Sequence, residues 1–363
     1  MLQPSQSHWI SVARDSLQRS DVDFFRVSPA RYWLDFAVSL FLAYGFGSLY
    51  LMAALGSATQ LAAFPLAVFW LYRLGSLVHE VCHLGHHEMR GFKVAWNLLV
   101  GVLTLTPSPF FTKHHRDHHS AKLFGTKEDP EYIVNVFQPG SVAGVVAYCV
   151  LVALFPLIVF LRFLLAPLTF LHPRVREWFL THGSSLTMNH RYERKVTRFD
   201  RWTITTVELL CCLRAAAMLV AVAVGVSDWT RLPLLYSLGL GVLVLNQLRL
   251  LADHHFDGDG QPRDMDTHIR DSCNYTGRDF FTWLLFPFSI RYHALHHLFP
   301  SLPYHNLKAA HAYLLNDLPS DSPYRTLDER SWWSVARKTL FTPLRPAAKT
   351  IVTEQVVSSG HAA

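Results

Sequence analysis

The chain has 363 residues and a formal net charge of +6, with 50% hydrophobic and only 17% charged residues. Soluble domains usually carry roughly 25% charged residues, so the composition points away from a soluble enzyme. The basic residues alternate with long apolar runs instead of forming one stripe, which excludes nucleic acid as the partner and fits a membrane surface.

In chain order, residues 1–35 form a cytoplasmic or interfacial segment in which Arg14, Arg19, Arg26 and Arg31 precede the first apolar run. The start is polar and mixed in charge, unlike a cleavable signal peptide. Residues 36–55 and 61–78 are two apolar runs long enough to cross a bilayer, joined by a Gly-Ser-Ala-Thr-Gln turn. The run 94–111 is broken by Pro107 and Pro109 and is expected to be re-entrant or surface-lying. A polar loop occupies 120–140. The stretch 142–171 carries Pro156 and Pro167, and a hairpin bent near Pro156, or a partly interfacial path, is expected there. A basic segment, 172–201, should lie on the cytoplasmic side, and it either docks an anionic head group or only marks topology. Residues 202–226 and 232–252 read as two more spans. Near 327–341 the pairing of Trp332 and Trp333 with Arg330, Arg337 and Lys338 suggests an amphipathic surface helix, and disorder is expected beyond Pro346.

The expected fold is therefore all-α: a polytopic membrane protein of about four transmembrane helices plus re-entrant or interfacial helices, under a cytoplasmic histidine-rich cap. Three regions follow: 1–35, a membrane domain over 36–318, and a C-terminal interfacial helix with a flexible tail over 319–363. Four full spans place every histidine cluster at one membrane surface.

Histidine is the outlier, with 21 residues, most of them in four clusters. The first holds His79 and His83 at i and i+4, about 6 Å apart on one helical face, followed by His86 and His87. With Glu80 it reads H-E-x-x-H, a zinc-protease signature, but that reading leaves the other clusters unexplained. The second cluster has His115, His118 and His119 at i, i+3 and i+4, preceded by His114. The third contains His254 and His255, and the last repeats the triplet as His293, His296 and His297. Any one of these histidines alone would be an ordinary surface residue. Two triplets and a pair in one chain make a shared centre, and eight or nine neutral imidazoles suit two first-row metal ions with open positions. The five cysteines include no C-x-x-C pair, and no repeated Glu-x-x-His motif of soluble di-iron bundles is present.

The order H-x-x-x-H, H-x-x-H-H, H-x-x-H-H over His79–His297 resembles the membrane fatty acid desaturase superfamily, which also contains hydroxylases and related oxidases. The run from Arg291 to Asn306, Arg-Tyr-His-Ala-Leu-His-His-Leu-Phe-Pro-Ser-Leu-Pro-Tyr-His-Asn, is similar to that of its bacterial members. The resemblance implies a non-haem di-iron centre, O2 as co-substrate, and His79, His83, His115, His118, His119, His254, His293, His296 and His297 as ligands. Extra histidines leave a shifted pair, His83 with His87, open. His86, His114 and His255 are further metal or supporting candidates, as are Glu80, Asp117, Asp253, Asp271 and Asn274, the last as holder of a water near one iron.

The implied reaction is oxidation of an unactivated C–H bond of a fatty acyl chain, with desaturation leading. Decarboxylation of free medium-chain fatty acids to terminal alkenes and hydroxylation use the same pattern. A histidine-lined metal transporter is the rival of another class, although its ligands would sit near the bilayer midplane. His172-Pro173 is followed by Arg174, so no fused haem segment is present. Electrons should then come from a separate ferredoxin, rubredoxin or cytochrome b5 type donor and its reductase. A bacterial inner membrane is the expected location.

Overall fold

The computed structural model describes residues 8–137 and 139–342, so the expected tail beyond Pro346 lies outside the described residues. The described chain is mostly helical: α1 (His8–Arg19), α2 (Pro29–Met52), α3 (Ala58–His83), α4 (Arg90–Trp96), α5 (Pro109–His118), α6 (Val142–Leu164), α7 (Pro173–His182), α8 (Arg198–Ala223), α9 (Arg231–Leu250), α10 (Met265–Asp271), α11 (Phe280–Leu285), α12 (His293–Leu298), α13 (Tyr304–Asp317) and α14 (Trp332–Phe341). Two short strands, β1 (Asn274–Tyr275) and β2 (Asp328–Glu329), pair in parallel.

Among the described residues, five helices are long and apolar enough to cross a membrane by length and composition. The four expected spans are α2, α3, α8 and α9, and α6 is a fifth helix of sufficient length. Large side chains such as Phe41, Val142, Leu161 and Leu213 are exposed on these helices. Only 6% of the most apolar window of α6 is buried in the protein. An apolar helix bare of partners on most sides is stable in lipid, where every backbone group is already bonded within the helix.

The α2–α3 hairpin turns at Gly56, whose φ of 71° is easy only for a residue without a Cβ. Ser57 then caps α3 by accepting a hydrogen bond from Gln60 N at 3.2 Å. α3 packs between α2 and α9, and α6 packs against α8 and α9.

The stretch 142–171 departs from the hairpin expected near Pro156. α6 runs on through Pro156, and the bend falls at a 3-10 turn, Ala166–Leu171, that contains Pro167. A proline inside a helix removes one backbone bond, whereas a hairpin in lipid would strand several. Both flanks of α6 and α7 nonetheless return to the histidine cap. Gly140 N bonds Leu340 O at 3.0 Å, and Asn189 Nδ2 bonds Lys127 O and Asp129 O at 2.9 and 2.8 Å.

No long helix occupies 90–118. α4 continues into one π-helical turn, Asn97–Gly101, and the chain reverses at 102–108 before α5. Asn97 staples the reversal, accepting from Ser108 N and donating to Ser108 Oγ, both at 2.8 Å. That re-entrant course brings the second histidine cluster back to the end of α3, and α5 packs on α3.

α1 lies on α13, with Ser16 Oγ donating to Asp317 Oδ2 at 2.6 Å. α14 buries Trp332, Val335 and Ala336, and Trp332 Nε1 donates to Leu248 O at 2.9 Å. Part of the basic segment 172–201 is consumed inside the fold. Arg176 Nη1 and Arg162 Nη2 grip the fully buried Glu208 at 2.6 and 2.5 Å, and Arg194 Nη1 donates to Pro109 O and Ser184 O at 2.7 and 2.8 Å.

Candidate metal centre

The last turn of α3 carries His79 and His83, with ring centroids 5.1 Å apart. α5 starts on Pro109 and presents His115 and His118, and His119 follows as its C-cap. α12 presents His293, His296 and His297, and His254 stands just beyond α9. Their donor nitrogens fall into two groups of four, each within 4.8 Å of one another: His79, His83, His115 and His296, and His118, His254, His293 and His297. His119 joins the first group, its Nε2 lying 3.2 Å from His115 Nε2 and 3.1 Å from His296 Nε2. Its ring also stacks on His297 of the second group at 4.1 Å. The nine histidines singled out in the sequence thus lie in one cluster with two lobes. His83 and His119 are half-buried, and the other seven are buried.

The outer nitrogens explain which way the rings face. His118 Nδ1 lies 2.8 Å from Asp129 Oδ1, and His115 Nδ1 lies 2.8 Å from Glu131 Oε1. A carboxylate accepts from Nδ1–H, so both rings turn Nε2 inward. Glu80 faces His79 Nδ1 at 3.3 Å, while accepting from Tyr32 Oη at 2.6 Å and Tyr304 N at 3.3 Å. Ser272 Oγ lies 3.1 Å from His254 Nδ1, and His268 Nε2 lies 2.8 Å from His297 Nδ1. The His268 ring is itself stacked on Phe124 at 3.7 Å.

The donor set fits metal. His79 Nε2 is buried without a hydrogen-bond partner. Nε2–Nε2 separations include 3.0 Å for His83–His115, 3.2 Å for His118–His254 and 3.0 Å for His293–His297. Two nitrogens about 2.1 Å from one ion and at right angles are about 3 Å apart. Inward lone pairs at such distances repel one another unless a cation sits between them.

Burial, reinforced by the neighbouring imidazoles, holds His115, His119, His254, His293, His296 and His297 well below the usual histidine pKa, so these rings are neutral. His118 is the exception. Burial works against its charge, but the Asp129 carboxylate outweighs burial and holds it up at about 9. Burial likewise raises Glu131 to about 7 and Asp271 to about 6.

The remaining candidates lie elsewhere. His86 and His87 are exposed, because α3 ends at His83 and Leu84 leaves helical geometry, so the shifted pair His83 with His87 does not form. His114 is buried against Phe111 and Tyr192, 3.6 Å from Glu131 Oε1, and burial lowers it to about 3. His255 Nε2 points to Cys273 Sγ at 3.6 Å and Glu329 Oε1 at 3.7 Å. Asp117 accepts from Tyr192 Oη at 2.7 Å and pairs with Lys113, touching no clustered imidazole. Asp253 pairs with Arg249 at 2.6 Å, and Asp271 Oδ2 is 3.9 Å from His254 Nδ1. Asn274 Oδ1 accepts from Leu295 N at 3.1 Å in the first turn of α12, and its Nδ2 donates to Asp328 Oδ1 at 3.4 Å.

Asp129, Glu131, Ser272 and His268 were not singled out in the sequence. The two acids stand in the polar loop after the second cluster, where a Gly-Thr-Lys-Glu-Asp-Pro-Glu run reads as an ordinary turn.

Comparison with known proteins agrees with this picture. Residues 55–328 match the family model for fatty acid desaturase. The chain is 36% identical over 328 residues to a ceramide hydroxylase of Caulobacter vibrioides (strain NA1000 / CB15N), covering 88% of this chain and 90% of that one. It is 24% identical over 269 residues to a fatty acid desaturase of Bacillus subtilis (strain 168), covering 73% and 70%. No solved structure matches significantly. The protease and transporter readings fall with this result: the chain belongs to the fatty acid desaturase family and is a membrane oxidoreductase.

Proposed function

We propose that the nine clustered histidines hold two iron ions and that the chain hydroxylates an unactivated carbon of a long-chain lipid. The observation that carries this reading is the pair of four-histidine groups with inward lone pairs. Bound iron would supply O2 activation at the open positions of an all-nitrogen set. One oxygen atom enters the C–H bond and the other leaves as water, with two electrons delivered one at a time by a separate ferredoxin, rubredoxin or cytochrome b5 type donor and two protons taken from solvent. Hydroxylation is placed ahead of desaturation because the hydroxylase relative is more similar and spans more of both chains. A cytoplasmic site in a bacterial inner membrane belongs to the same reading.

The chain's own residues prepare the site. Asp129, Glu131, Glu80, Ser272 and His268 fix ring orientation before any ion arrives. Burial of seven of the nine rings keeps bulk water from the reacting carbon.

The test is lipid mass spectrometry on cells expressing the protein, fed deuterated fatty acids under 18O2, with His296→Ala as control. Hydroxylation predicts one 18O atom gained per labelled chain, absent in the variant. Loss of two deuterium atoms without oxygen would replace it with desaturation. A terminal alkene one carbon shorter would replace it with decarboxylation.

A further inference from the structure

A second feature lies where the spans meet the cap. A cavity of about 710 Å3 opens between α2, α3, α11 and α13. Its apolar wall includes Val38, Phe69, Trp70, Trp283 and Phe286, and its polar rim carries Arg73, Arg278, Arg291 and Lys308. Asp279 is the one carboxylate in the lining, and it is committed to capping α11, accepting from Thr282 N at 3.0 Å and Thr282 Oγ1 at 2.6 Å.

The cations are not balanced. Arg73 is paired with Asp35 at 2.7 Å and lies 4.0 Å over the Phe288 ring. Arg291 Nε donates to Tyr275 O at 2.5 Å, but its charge meets no carboxylate among the described residues. Arg278 and Lys308 are exposed and also make no ion pair among the described residues. Three cations without an ion pair, against the one carboxylate of Asp279, leave the cavity net positive and favour an anion there. Arginine is also the side chain best matched to carboxylate and phosphate oxygens.

The wall is shared with the histidine centre. Arg73 lies six residues before His79 on α3, about 9 Å of helix. Tyr292 lines the cavity and immediately precedes His293. Phe288 and Ser289, also in the wall, hold consecutive left-handed conformations at φ of 55° and 60°. Non-glycine residues rarely keep that geometry unless their surroundings enforce it. Cations and aromatic rings around one cavity match an amphiphile, with a charged head and an alkyl chain.

We propose that this cavity seats the anionic head group of the lipid that the centre oxidises, so that the substrate carries a carboxylate or phosphate instead of a neutral head. The proposal deepens the lipid-oxidase reading and rests on it. It also moves head-group recognition away from the basic segment 172–201, where Arg176 and Arg194 are engaged internally.

The test separates binding from turnover. Native mass spectrometry of the metal-loaded full chain in nanodiscs compares ceramide with ceramide 1-phosphate, and palmitic acid methyl ester with palmitate. The variant pair Arg278→Gln with Lys308→Gln changes two exposed side chains that hold no structural contact, and Arg174→Gln with Arg198→Gln is the charge-matched control. The expected result is about tenfold tighter binding of at least one charged lipid over its neutral partner. That margin should shrink to about threefold or less in the first pair and persist in the control. The pair that shows the margin identifies phosphate or carboxylate as the head. Equal binding of charged and neutral lipids, or an unchanged margin in the Arg278/Lys308 variant, overturns the proposal, as does oxidation of the neutral lipid at the charged lipid's rate. A margin lost in the variant with no lipid oxidised at all would leave the anion site standing and count against the oxidase chemistry alone.

Discussion

Asp129 has no exposed surface, and both its oxygens are used. Oδ1 faces His118 Nδ1 at 2.8 Å and accepts from Glu131 N at 3.0 Å, and Oδ2 accepts from Gly125 N at 2.8 Å. It therefore fixes one ring of the second metal group and the course of the loop carrying Glu131, which fixes a ring of the first. Replacing such an outer partner typically weakens metal binding about 10–100-fold, and that range is predicted for Asp129→Asn in a chelator competition for iron. The pH dependence follows from the same pair. In the metal-free protein the His118 pKa is raised from 6.5 to about 9, so the pair's contribution to folding is fully present below 6.5 and is lost as pH rises through about 9. The ion competes with that proton, so iron affinity should rise with pH across the same window. In Asp129→Asn the carboxylate's pull is gone, burial keeps the ring neutral, and the slope should flatten. A variant that keeps the wild-type slope would show that the proton is held elsewhere.

Among the helices, the packing of α6 and α7 on α8 turns on one carboxylate. Glu208 is fully buried, taking Arg162 at 2.5 Å from α6 and Arg176 at 2.6 Å from α7, and Thr205 Oγ1 accepts from Arg176 Nη2 at 2.7 Å. Breaking a buried ion pair from one side leaves the other charge unmatched and typically costs about 3–5 kcal/mol. Glu208→Leu should therefore lower the thermal midpoint in detergent much further than Glu208→Gln, whose amide oxygen still accepts from one arginine. The two variants melting together would mean that the triad is solvated. This triad was not legible in the sequence, because Arg162 and Glu208 are 46 residues apart and sit in different apolar runs. The histidine clusters were legible, because i, i+3 and i+4 spacing makes a shared face within one helix. Asp129 and His268 were not, since one stands in a loop and the other alone on the short helix α10, and only long-range contacts bring them to the clusters. The re-entrant course of 94–111 followed from requiring the first two clusters to meet. The helix through Pro156 did not, because a proline alone does not say whether lipid will enforce continuity.

For the molecule as a whole, the centre is a cross-link. Its rings come from the end of α3, from α5 and its cap, from the turn after α9 and from α12. Without ions these segments are held by helix packing and by the outer carboxylates, while the lone pairs of the neutral rings oppose one another at 3.0–3.2 Å. A ligand present at a hundred times its dissociation constant adds about 2.7 kcal/mol to the folded state. For a chain of this size that is a shift in thermal midpoint of roughly 3–4 °C. Iron-loaded protein should exceed chelator-treated protein by at least that margin in a fluorescence melt. The loss should be local as well. The 120–137 loop is anchored through Asp129 and Glu131, and Arg263 lies in the loop that follows His254 and pairs with Asp271 at 3.8 Å. Trypsin should therefore cut at Lys122, Lys127 and Arg263 faster after chelation. Arg201, paired with Glu177 at 2.7 Å, should keep its rate. Coincident melts and unchanged cutting would mean that the cap is rigid without metal, and the clustered imidazoles would then have to be sharing protons among themselves.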